Sequence, residues 1–261
     1  MTLRIMSYNI LDGGTGRLDP LFEVIAAENP DIVLVQETWE TAVFEKLAIK
    51  LNMEIFQAQS PRNPCGHVGI LSRYSIRKAI NYGPLEPRLT RAAAMVTLAT
   101  PEGGIHCLCV HLHPYPTPAD EAVRLREIEA VLDIAKATQG ERGPMLIAGD
   151  FNSLHPAQLL NIQALDERNR ERIGNHGGVV PRLVVQKMLD HGWVDTHAAT
   201  RAPREFATTF TTAFPAMRVD YIFVSESLVP RIMDCHVVKS PMARFASDHF
   251  PIILNLGPVQ D

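Results

Sequence analysis

A carboxylate and a carboxamide two positions apart, Asp150 and Asn152, close the run Met145-Leu-Ile-Ala-Gly-Asp-Phe-Asn152. The apolar run reads as a buried strand, and Gly149 permits a tight exit from it. In extended chain, residues two apart point to the same side. The carboxylate brings a hard oxygen; the amide both accepts and donates. Such a pair suits holding a divalent cation and a phosphate oxygen together. Asp and Asn are also common turn formers, so the pair gains chemical meaning only from company. That company exists. Asn9 follows the apolar run Leu3 to Tyr8, Glu37 follows Ile32 to Val35, and His111 follows Ile105 to Val110. Asp220 opens Asp220-Tyr-Ile-Phe-Val-Ser225, and Asp248-His249 precedes Phe-Pro-Ile-Ile-Leu. Each lies where an apolar run meets a loop, so aligned strands would gather them on one rim. Clustered carboxylates repel unless a cation or a proton compensates. Oxygen donors with no thiolate among them favour Mg²⁺ or Mn²⁺ over zinc. The two histidines offer acid, base or phosphate-binding groups near neutral pH.

The elements that must position these residues follow from the pattern. Strands are expected at 3–8, 32–35, 68–73, 92–99, 105–110, 145–150, 219–224 and 250–256. Pro101-Glu-Gly-Gly104 is a turn joining two of them in a hairpin. Helices are expected at 18–29, 43–51 and 183–191, and from Thr117-Pro-Ala-Asp120 to about Thr138. There Thr117 can cap, Pro118 suits the first helical position, and Asp120 sits near the positive end of the dipole. Asp12-Gly-Gly-Thr-Gly-Arg17 lacks the Gly-Lys-Ser/Thr ending of a phosphate-binding loop and reads as a plain flexible loop. The charged run Asp166 to Arg172 and the loop Gly174 to Pro181 read as a solvated surface helix and loop, with an insertion bordering the site as the competing reading. Tyr115, between Pro114 and Pro116, reads as stiffening a loop rather than lining a pocket.

Composition bounds the rest. The 261 residues are 46% hydrophobic and 21% charged, an ordinary globular balance that can bury a large core as one domain over 1–261. A net charge of −4 disfavours a strongly basic duplex-binding surface. Cys107 and Cys109 share one face of an apolar run and read as small buried hydrophobes. Neither metal-finger spacing nor a cysteine-based phosphatase loop is present. No apolar stretch approaches the ~20 residues that span a bilayer. The first residues run directly into a strand pattern without a signal-peptide core, which makes the cytoplasm the expected location.

Seven segments together resemble the endonuclease/exonuclease/phosphatase superfamily, the DNase-I-like fold. They are Ser7-Tyr-Asn-Ile10, Pro30 to Glu37, Gly69-Ile-Leu-Ser-Arg73, Val110-His-Leu112, Gly149-Asp-Phe-Asn152, Arg218-Val-Asp-Tyr-Ile-Phe223 and Ser247-Asp-His-Phe-Pro251. Each is weak alone; their ordered conjunction spans nearly the whole chain. The resemblance implies an α/β chain of α+β type: a four-layered sandwich of two packed mixed sheets with helices outside. It implies divalent-metal hydrolysis of a phosphate ester. By motif, Glu37 would be the principal metal ligand, with Asn9, Asp248 and Asp150 around it. Asp150 and Asn152 would hold the attacking water and the phosphate. His249 would be the catalytic histidine, oriented by Asp220. His111 falls where DNase-like and phosphatase members carry a second histidine and the abasic-site branch carries tyrosine. Arg91 loosely matches a phosphate-binding arginine. A small or lipid-derived phosphoester is the favoured substrate, a DNase-like nuclease the alternative, and a non-catalytic binding module the remote one. His113, His155, His176, His197 and His236 read as ordinary core or surface histidines.

Overall fold

The computed structural model describes residues 2–139, 143–201 and 207–259. The strands are β1 Leu3–Asn9, β2 Ile32–Gln36, β3 Glu54–Ala58, β4 Val68–Ser72, β5 Ile76–Asn81, β6 Ala93–Thr100, β7 Gly103–His111, β8 Met145–Asp150, β9 Val194–Asp195, β10 Asp220–Val224, β11 Ile232–Val237 and β12 Ile252–Leu256. The helices are α1 Leu18–Glu28, α2 Thr41–Leu51, α3 Pro118–Gln139, α4 Glu167–Gly174, α5 Leu183–Asp190, α6 Thr196–Thr200 and α7 Pro241–Ala246. Two six-stranded mixed sheets result, in the orders β11-β12-β1-β2-β4-β3 and β5-β6-β7-β8-β10-β9. They pack face to face with helices outside, the expected four-layered sandwich.

Period-two alternation divides the core into layers. Ile5, Leu34, Cys107, Cys109, Leu146, Ala148, Ile222 and Leu254 belong to a cluster between the sheets. Met6, Tyr8, Val33 and Val35 point the other way, onto α1, α2 and α7. Leu108, Val110, Ile147 and Phe223 meet α3 and α5 on the opposite outer face.

Chain direction does the rest. β1 runs parallel to β2, and β7 parallel to β8, each through a helical crossover. All four therefore end on one side. β12 is antiparallel to β1 and β10 to β8, so their starts lie on that side too. Gly149 makes the closest of these approaches possible: a Cβ there would sit 1.8 Å from the Val110 carbonyl oxygen.

The hairpin β6–β7 and the start of α3 form as the pattern predicts. Thr117 Oγ1 accepts from the Asp120 N–H at 3.1 Å while Asp120 returns the bond to the Thr117 N–H at 3.1 Å, a reciprocal cap. The strands the periodicity misses are β3, β5, β9 and β11, the outer edges of both sheets. Edge strands carry polar residues that discourage further pairing, as in Ile-Arg-Lys-Ala-Ile-Asn of β5, so no apolar run announces them. Asp12 to Arg17 is not the flexible loop expected. It is a tight 3-10 turn with Gly13 and Gly14 buried, and a Cβ on Gly13 would meet Glu40 Cβ at 2.5 Å.

One charged pair is fully enclosed. Arg218 Nη1 and Nη2 grip Asp195 Oδ1 and Oδ2 at 2.9 and 2.5 Å, joining the approach to β10 to the end of β9. Burial opposes the Asp195 charge, but Arg218 overcomes it and holds the carboxyl below its usual range. Replacing Asp195 by Asn leaves the Arg218 charge without its counter-ion. The expected loss is about 3–5 kcal/mol of stability in denaturant titration. In the wild type the pair's contribution is complete above about pH 4, the unfolded carboxyl value, and fades as pH falls through the lower folded value. An unchanged acid-unfolding midpoint in Asp195→Asn would contradict this.

Candidate active site

Along the inner faces of β7, β8 and β10 the residues are apolar except at the rim end, which is polar; on β1 the buried Ser7, whose hydroxyl accepts from Gln36 Nε2, precedes Asn9. Asn9 ends β1, His111 ends β7, Asp150 ends β8, and Asp220 begins β10. His111, Asp150 and Asp220 are also register partners across three adjacent strands. The site is thus the polar rim of the inter-sheet core. Asn9, His111, Asp150, Asp220 and His249 are all 5% exposed or less.

Asp220 Oδ2 receives the Nδ1–H of His249 at 2.9 Å. That bond leaves His249 Nε2 facing Asp150 Oδ2 at 3.8 Å and Asp248 Oδ1 at 4.0 Å. Burial works against a charged imidazole here, but Asp220, Asp150 and Asp248 outweigh it and hold the His249 pKa well above the ordinary value. Burial, then the adjoining Asp220 charge, pushes the Asp150 carboxyl up to about 7. His111 Nε2 lies 3.4 Å from Asp150 Oδ2. Its pKa goes the other way, well down, because of burial and the positive charges of Arg91 and His249. The two histidines therefore differ in charge at neutral pH although both touch Asp150.

Glu37 lies just beyond β2 in left-handed backbone, φ 62°. Its Oε1 accepts from Asn9 Nδ2 at 3.2 Å and its Oε2 from the Asp12 N–H at 2.7 Å. The packed glycine turn is thus a holder for Glu37. Asn9 Nδ2 also donates to Asp150 Oδ2 at 3.2 Å, so its amide separates two carboxylates, while its Oδ1 accepts from the Leu11 N–H. Asn152 is positioned by a left-handed turn, φ 48°, and not by strand alternation, because β8 ends at Asp150. Its own N–H donates to Asp150 Oδ1 and its Nδ2 to the Leu112 carbonyl. Arg91 Nη1 donates to the same carbonyl at 2.7 Å. Every sequence-selected residue therefore reaches this rim, with Asp248 the most exposed carboxylate of the group beside the half-buried Glu37.

The donor set suits a hard cation. Glu37, Asp150, Asp220 and Asp248 supply oxygens, and among the described residues Asp220 Oδ1 and Asp248 Oδ1 are buried without a hydrogen-bond partner. Ligating atoms of Asp150, Asp220 and His249 lie within 4.8 Å of one another.

Several supports escaped the sequence reading. Ser247 Oγ donates to the Asn9 carbonyl at 2.7 Å and accepts from the His249 N–H, tying β1 to the histidine. Thr209 Oγ1 accepts from the Val219 N–H, and its carbonyl from the Phe250 N–H, bridging the flanks of Asp220 and His249. On α3, buried Glu127 accepts from the Thr90 and His113 N–H groups, fixing the neighbours of Arg91 and Leu112. Buried Arg124 donates to the His113 and Tyr115 carbonyls. The spacing of three between Glu121, Arg124 and Glu127 was the available signal. Two expectations are corrected. Asn169, Arg172, Ile173 and Val180 border a cleft beside Asn152 rather than bare solvent, because Ile173 packs into a small core with Leu154, Leu165, Met217 and Val219. Tyr115 lines that cleft as well. His113, by contrast, is an ordinary histidine, paired with Asp120 at 2.9 Å.

The sequence model of the endonuclease/exonuclease/phosphatase family matches residues 6–249. An uncharacterized protein, YbhP, of Escherichia coli strain K12 is 27% identical over 96% of this chain and 94% of its own length. Among solved structures, an AP endonuclease from Archaeoglobus fulgidus superposes with a TM-score of 0.77 at 19% identity, over 97% of this chain and 99% of that one. The 3′ phosphatase NExo from Neisseria, bound to a product DNA hairpin, gives 0.70 at 19% identity over 97% and 99%. At such identities these two likenesses establish the fold. The family match covers most of the chain and joins the ordered motifs to the rim they build: this protein belongs to the endonuclease/exonuclease/phosphatase family.

Proposed function

We propose that this protein is a divalent-metal-dependent phosphoester hydrolase that directs water at a small or lipid-derived phosphate mono- or diester, all 261 residues forming one catalytic domain. Members of the family hydrolyse phosphoester bonds. The observation that carries the reading is the chain Asp220–His249–Asp150 set against Glu37 and Asn9 on one buried rim. Glu37, with Asp150, Asn9 and Asp248, would hold Mg²⁺ or Mn²⁺, which supplies neutralising charge to the phosphoryl oxygens. Asp150 in its ionised form takes the proton of the attacking water. Asn152, anchored to the Leu112 carbonyl, orients water and phosphate. His249, kept charged by Asp220, presents Nε2 to the phosphate and can protonate the departing oxygen. His111, neutral, donates a hydrogen bond without adding charge, and Arg91 adds positive charge at the rim. A DNase-like nuclease is the competing reading, and plasmid DNA included in a substrate panel decides it.

Activity should vanish in excess chelator and return with Mg²⁺ or Mn²⁺, and Glu37→Gln should lower turnover by on the order of 100-fold or more. Full hydrolysis with chelator present would sink the metal assignment. Asp220→Asn should cut turnover and lower the His249 pKa. Because His249 acts in its charged form, the alkaline fall of the pH–rate profile should then move to lower pH. Asp220→Asn combined with His249→Ala should cost little more than His249→Ala alone, since members of one unit are non-additive. His111→Ala should instead compound the His249→Ala loss. Kinetics of the double variants check this, and simple multiplication of the Asp220 and His249 losses would dissolve the pair.

A further inference from the structure

A cleft opens directly beside Asn152 and encloses about 650 Å³ of unfilled space, part of it continuous with solvent. Its walls come from four separated stretches: Tyr115 in the Pro-Tyr-Pro loop, Asn152 to Leu154 after β8, Ile173 and Val180 from α4 and the loop after it, and Phe210 with Met217 ahead of β10. Among the described residues, none that lines it is acidic. Asn152 lines both this cleft and the catalytic rim, and the Phe210 ring lies 4.7 Å from the His249 ring. The cleft therefore adjoins the place on the rim where a phosphate would be held.

The walls are preformed and mostly apolar. Tyr115 has left-handed backbone, φ 78°, and a half-exposed ring, while Arg124 holds its carbonyl at 2.6 Å. The Arg172 guanidinium lies 5.1 Å from that ring, a cation over a π face at the mouth. Ser153, 1% exposed and lining the cleft, has a hydroxyl without a partner among the described residues. Asn152, Asn169, Arg172 and the Tyr115 hydroxyl add polar groups, but the rest of the lining is aliphatic, proline or aromatic, a surface that gains most from burying a ring and little from the many hydroxyls of a polyol.

We propose that this cleft is the subsite for an apolar, aromatic organic group, making the substrate an aryl-type phosphoester rather than a sugar or polyol phosphate. The proposal rests on the phosphoester reading above. Binding of non-hydrolysable phosphonates tests it apart from turnover, using calorimetry on the full chain with Mg²⁺. Burial of a bicyclic ring predicts that 1-naphthylphosphonate binds on the order of 10- to 100-fold more tightly than methylphosphonate. Val180→Trp, which fills the cleft, should bring the two affinities together. Should that variant fail to fold, Tyr115→Ala removes a half-exposed ring and should shrink the preference several-fold. Equal affinities in the wild type overturn the proposal and leave the phosphoester reading standing. A naphthyl preference that survives the wall substitutions overturns it as well. Binding of neither phosphonate overturns both readings.

Discussion

Two carboxylates, Asp150 and Asp220, face each other as register partners on β8 and β10, and both are buried. Like charges so placed cannot both ionise without help. Much of the site is arranged as that help. His249 bonds to one and lies near the other, Asn9 donates to Asp150, and the Asn152 N–H donates to its second oxygen. Burial first, and then the Asp220 charge, raise the Asp150 pKa, and both make a cation or a positively charged histidine favourable at this spot.

The constraint reaches outward through backbone geometry. Leu11, Asp12, Glu37, Tyr115 and Asn152 all have positive φ without being glycine, and all lie in loops at the rim. Asn29 and Asn52 share that conformation, but as helix caps, where it costs little. At the rim the strained residues are held by specific bonds: Glu37 by the glycine turn, Asn152 by Leu112, Tyr115 by Arg124. Strain fixed by such supports is typical of functional sites. A preformed rim lets its dipoles stabilise developing charge without reorganising.

The stretch from Asp166 to Pro181 shows how a site acquires its own character on a shared fold. The sheets place the rim; α4 and the following loop place a wall beside it. Ile173, the buried residue of α4, docks that wall onto Leu154 and Met217. The rim and the cleft wall thus belong to different elements that meet at Asn152.

The sequence by itself determined the central strands, the main helices and which polar strand-end residues gather on the rim, though not the residues that support them. Central strands are buried on both faces and must read as apolar runs, so the polar residue that ends each run stands out. The edge strands β3, β5, β9 and β11 stayed hidden because half-exposed edges need no such run. Pairing was equally invisible. That Asp220 meets Asp150, and that Asn9 lies between Glu37 and Asp150, depends on strand order and direction, which bring together Asn9 and Asp150 from 141 residues apart. The opposite charge preferences of His249 and His111 are a further product of tertiary structure, since only burial and neighbouring charges separate two identical imidazoles. Two of the many charges of α3 also gained their meaning there: Arg124 and Glu127 are buried because loops outside the helix bring carbonyls and N–H groups to them. Local patterning encodes which residues are buried; which buried groups touch is decided by the packing of the two sheets.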